Sequence, residues 1–137
     1  MKLEPSSESR EVECAFLWKL NKHMVLVRYK DGVHLAVEDA KAVIDGCIDL
    51  MEGRKFLAVV DARNMGGTLA KKAGDYFAHD EKFNSYLAAQ ALVVNDLAIK
   101  LIARFFIKLN EPIRPTKIFE DIEDAMVWLE SRKNLLE

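Results

Sequence analysis

The stretch FLAVVDARNMGGTLA, Phe56 to Ala70, decides the fold. Phe56 to Val60 is an apolar run without polar alternation, the mark of a strand buried on both faces. Asp61 ends the run. Gly66-Gly67 turns the chain, and Thr68 stands where a hydroxyl N-cap would open a helix. Leu69, Ala73, Tyr76, Phe77 and Phe83 then continue at helical spacing. This order puts the loop at the carboxyl end of a strand, where α/β proteins bind ligands.

Upstream, Val12–Leu20 and His23–Lys30 are two strand-like runs around Asn21-Lys22, a hairpin signature. Ala36 to Met51 spaces Ala40, Val43, Ile44, Cys47, Ile48 and Met51 along one helical face, and Gly53 follows as the expected C-cap. Downstream, Ala88 to Val94 is another apolar run, read as a buried strand. Asn95 or Asp96 caps a helix from Leu97 to Leu109, which Asn110, Pro112 and Pro115 terminate. Thr116–Phe119 reads as a short strand, and Asp121 caps a last helix. The order ββαβαβαβα predicts an α/β fold: a mixed, mainly parallel sheet with an N-terminal antiparallel hairpin.

The 137 residues suit one domain with its own core. Met1 to Glu11 is polar, with Pro5 and three serines, and reads as a flexible tail. That leaves 12–137 as a single domain. A net charge of −2 removes the concentrated basic surface that nucleic-acid binding requires. No apolar run is long enough to span a bilayer, and the N-terminus has no secretory apolar core. Cys14 and Cys47 lie far apart in apolar patterns, which points to buried free thiols in a reducing compartment, the cytoplasm.

Chemistry-bearing motifs are sparse. Asp61 sits at the end of a central strand, as a ligand contact or a brace for the loop. Gly66, Gly67 and Thr68 at a helix start, with Lys71 in the first turn, would suit an anion, but the spacing is not that of a P-loop. His23, His34 and His79 are scattered without acid or cysteine at ligand spacing, so neither a metal nor a cofactor is expected. No nucleophile elbow or acid–base pair is present, and an enzyme is the lesser expectation.

The Leu97–Leu109 helix carries Lys100, Arg104 and Lys108 as one basic stripe and is otherwise almost wholly apolar. Its apolar arc exceeds what one sheet face needs. Ile99, Ala103, Phe106 and Ile107 are therefore candidates for an apolar ligand site or a homodimer surface.

LIARFFIKLN and EPIRPTKIFEDIEDAMVWLE, with the FLAVVDAR strand and the element order, resemble the STAS domain. That family includes the anti-sigma factor antagonists and the cytoplasmic tails of sulfate transporters. The small stand-alone bacterial STAS/SEC14-like proteins are the closer likeness. The resemblance implies a STAS-like (SpoIIAA-like) fold and a non-enzymatic regulatory module with a protein partner. Anti-sigma factor antagonists carry a phosphorylated serine after the corresponding strand. No serine lies here between Arg63 and Asn84, and Thr68 alone is left as a phosphoacceptor candidate. The resemblance makes Asp61, Asn64, Gly66, Gly67, Thr68 and Lys71 the candidate partner surface. The alternative is a small carrier of an apolar or lipid-like ligand beneath the 97–109 helix.

Overall fold

The computed structural model describes residues 8–137. Three strands run antiparallel at one side of the sheet: β1 (Ser9–Glu11), β2 (Ala15–Asn21) and β3 (Met24–Tyr29). Three parallel strands follow beside β3: β5 (Phe56–Asp61), β7 (Leu87–Val93) and β8 (Thr116–Phe119), numbered in chain order with β4 (His34–Leu35) and β6 (Thr68–Leu69). The spatial order is β1-β2-β3-β5-β7-β8, so the expected mixed sheet with its N-terminal hairpin is present. The helices are α1 (Val37–Leu50), α2 (Lys71–His79), α3 (Glu81–Tyr86), α4 (Leu97–Phe105) and α5 (Ile122–Glu130). A π-turn, Phe106–Asn110, continues α4.

Several expectations change. Residues 1–7 of the expected tail lie outside the described residues. Ser9–Glu11 is not tail but an edge strand, paired antiparallel with β2. Thr68 caps no helix. It lies in β6, whose two residues pair in parallel with β4, and α2 begins after Ala70 with no side-chain cap. The expected helix through Phe83 breaks at Asp80, whose carboxylate accepts from the Phe83 amide and so caps α3. Gly53 is not the first left-handed residue after α1. Glu52 is, at φ +58°, and the Glu52→Asp49 and Gly53→Ile48 amide bonds complete a Schellman motif.

The sheet separates two unequal layers. α5 and the 3-10 turn Lys133–Leu136 behind it cover one face, packing Ile122, Ala125 and Leu129, with Leu136, on Leu57, Val59, Ala89, Ala91 and Val93. The alanines of β7 let this helix approach closely. The other face carries α1, α2, α3 and α4 over Val25, Val27, Phe56 and Ala58, with a separate cluster of Ala62, Met65, Val94, Ile99 and Ala103 beneath α4. Both thiols lie in the α1 layer. Burial pushes Cys14 up to about 11 and Cys47 up to about 12, so both stay protonated.

Candidate functional site

An apolar cavity of about 100 Å³ lies between the helical layer and the sheet. Its roof is α4, through Ile99, Ile102, Ala103 and Phe106. The floor includes Val60 on β5 and Leu92 on β7. Both sit on central strands yet stay only half-buried, because the space reaches the sheet itself. Gly67, Thr68 and Leu69 contribute to the rim. Gly67 is held there by a backbone contact: a Cβ on it would stand 2.1 Å from the Val33 carbonyl, so no side chain fits while β6 lies beside β4.

Polar groups along this wall are few. Gln90 is 5% exposed and donates from Nε2 to Thr116 Oγ1 at 3.1 Å. Tyr29 also lines the space, and desolvation by burial pushes its phenol above the ordinary range. Neither residue figures among the sequence-based candidates. The signal for Gln90 was one amide within the otherwise apolar run Ala88–Val94, where a polar group has to find a partner.

α4 is fastened over the cavity at both ends. Asp96 accepts from the Ile99 amide as an N-cap. At the other end the π-turn leaves carbonyls without an α-helical partner. His79 Nε2 donates to the Asn110 carbonyl at 2.6 Å, and Asn110 Nδ2 donates to Asp75 at 2.7 Å, both residues being on α2.

The sequence-based candidates therefore divide. Gly67, Thr68, Ile99, Ala103 and Phe106 meet at one cavity. Ile107 lies outside it, on a shallow open depression with Pro112, Ile113 and Pro115. Asp61 is on the opposite, α5 side of the sheet. It is 3% exposed and accepts from Arg28 at 3.0 Å and from the Arg63 guanidinium at 3.0 and 3.1 Å. Burial raises its carboxyl, but the hydrogen bonds from Arg63 and then Arg28 outweigh this and hold it below the usual carboxylate range. Its charge is thus taken up by the protein.

Asn64 binds Asn95 through both backbone and side chain, and Lys71 pairs with Asp75. Thr68 is exposed and its hydroxyl meets His34 Nδ1. The Thr68 and Ala70 amides donate to the Val33 and Leu35 carbonyls, so the Thr68 amide is taken up by the strand pair. The solvent side of α4 carries different residues again, namely Leu97, Leu101 and Phe105, with Leu109 on the π-turn. A protein contact on this helix would use that row, since Ile99, Ala103 and Phe106 are buried.

Among the described residues, no group of three His, Cys, Asp or Glu is placed to hold a metal ion, and no helix is long and apolar enough to cross a membrane. A family model described as "Domain of unknown function (DUF7793)" matches residues 18–133, most of the chain, and the chain belongs to that family. No curated protein matches it. Among solved structures it is similar to an uncharacterized protein of the DUF3478 family with a SpoIIAA-like fold from Shewanella loihica PV-4. The two share 17% identity at a TM-score of 0.56, over 88% of this chain and 90% of that one. The fold is thus SpoIIAA-like, of the STAS type that the element order resembled.

Proposed function

We propose that the chain is a non-enzymatic binding module of STAS type that holds a small apolar ligand beneath α4. The observation that carries this reading is the cavity itself: space that reaches the central strands, walled almost entirely by aliphatic and aromatic side chains. An engineered apolar cavity of about 150 Å³ takes up benzene, and this one is somewhat smaller. A single ring or a short branched chain matches that scale. The buried free thiols fit a reducing compartment such as the cytoplasm.

Toluene is the first probe. The methyl resonances of Val43, Ile99 and Ile102 are expected to shift saturably on titration. An Ala103→Leu variant, which places three more carbons in the same space, is expected to lose that response. Unchanged wild-type spectra up to the solubility limit remove this reading.

A regulatory protein contact at Asn64–Thr68 is the second reading. Asn64, Gly66 and Thr68 are exposed, while Met65, Gly67 and Thr68 also line the cavity. An occupant would touch the same loop that a partner would read. Phosphate incorporated by a host extract and lost in Thr68→Ala supports this contact as a switch, and label confined to Ser6, Ser7 and Ser9 counts against it.

A further inference from the structure

We infer that Gln90 selects the polar end of the ligand, and that the ligand is an apolar molecule of about one ring's size bearing an O–H or N–H donor. This deepens the cavity reading and rests on it.

The argument starts from the donors and acceptors of a primary amide, one carbonyl oxygen and two N–H groups. Gln90 points from β7 to the cavity side of the sheet, together with Leu92. Thr116 Oγ1 donates to the Arg114 carbonyl at 3.0 Å, so toward Gln90 its oxygen acts as acceptor. That orients the amide: Nε2 faces Thr116 and Oε1 faces away from it. Oε1 accepts from no described residue.

Among the described residues, no fully buried side-chain nitrogen or oxygen lacks a partner. Oε1 is therefore reachable from open space, and the space Gln90 lines is the cavity. A carbonyl oxygen in such surroundings keeps its desolvation cost until a donor meets it. Tyr29 offers a second polar contact on the same wall. The two histidines at this layer's surface, His34 and His79, are engaged with Thr68 and Asn110.

An occupant that is apolar throughout would leave Oε1 unmet. An anionic occupant would face an acceptor, with no cation among the lining residues. A neutral molecule with one donor satisfies both constraints.

Phenol and toluene have nearly the same shape and differ in that donor. Their dissociation constants are to be measured by calorimetry or methyl shifts on the wild type, Gln90→Met and Tyr29→Phe. Wild-type protein is expected to bind both. Gln90→Met is expected to weaken phenol roughly tenfold and to leave toluene within about twofold, the size of one neutral hydrogen bond.

If neither compound binds, the cavity reading fails and this inference falls with it. Toluene binding with a phenol affinity indifferent to Gln90→Met leaves the cavity reading standing and overturns the role of Gln90. So does a phenol preference lost in Tyr29→Phe but kept in Gln90→Met. Should Gln90→Met not fold, the wild type decides. Phenol affinity within about tenfold of toluene supports a buried acceptor, and phenol failing to bind where toluene does refutes it.

Discussion

Gly74 on α2 lies directly against the side chain of Asn110: a Cβ placed on Gly74 would stand 3.0 Å from both amide heteroatoms. Asn110 has little freedom to withdraw, since its Nδ2 is held by Asp75 and its carbonyl by His79. A glycine within a helix ordinarily costs about 1 kcal/mol against alanine. Here the missing side chain is what lets the end of α4 seat on α2. Gly74→Ala is expected to lower the urea midpoint despite its better helix propensity. The double variant Gly74→Ala/Asn110→Ala is expected to recover much of the loss, and strict additivity of the two changes would refute the coupling.

Acid should unfold the protein partly through Asp61. Arg63 and Arg28 hold its carboxyl below the ordinary range despite burial. Because the folded value is depressed, the stabilisation is present above the unfolded value of about 3.9 and is lost as pH falls through the folded value. Urea midpoints taken from pH 7 down to pH 2 are expected to decline at the acid end. Asp61→Asn is expected to be less stable at pH 7, by about 1–3 kcal/mol, and to show a flatter acid limb. Equal acid limbs in both proteins would rule out the contribution.

Filling the cavity should stabilise the fold while emptying its function. Ala103 is 6% exposed and forms part of the roof. Ala103→Leu is expected to raise stability by about 0.5–2 kcal/mol, the usual return of cavity filling. A drop in the thermal midpoint instead would mean that the roof cannot admit three further carbons.

The outer side of α4 should behave as free surface. Phe105 is 54% exposed and Leu97 and Leu109 are each 70% exposed. Phe105→Glu is expected to change stability by no more than about 0.5 kcal/mol. Sedimentation at micromolar concentration is expected to show one species for both proteins. A wild-type dimer that Phe105→Glu dissociates would show the row to be covered in solution.

The strands and helices were largely legible because each carries its own period. Phe56–Val60 and Ala88–Val94 are apolar without alternation, and the 36–51 helix shows its face at i, i+4 and i+7. What local reading missed depended on distant chain. Thr68 looks like an N-cap beside its own helix, but the Val33 carbonyl, far away in sequence, takes its amide into a strand pair. Ser9–Glu11 has tail-like composition and is ordered by distant chain, through its pairing with β2 and the Arg10–Asp49 ion pair to α1. Glu52 takes the left-handed position because the Schellman bonds require one there, with Gly53 one place late.

Of the candidate site, one half was visible. Ile99, Ala103 and Phe106 stand on one helical face, and that spacing pointed to an apolar ligand site or a dimer surface. The opposite wall was not, since Tyr29 and Gln90 come from strands that only the parallel register of β3, β5 and β7 brings under α4. Asp61 stands at the strand end where the sequence put it, and alternation from Leu57 and Val59 sets it on the α5 side, away from the cavity.

The cavity lies on one side of the sheet only, and this makes the molecule's volume lopsided. The α5 layer is close-packed through alanines, while the four-helix layer encloses space that unfolding would return to solvent. Pressure favours whichever state eliminates such space. Compression should therefore act first on α4 and the π-turn behind it, and leave the α5 layer to yield last.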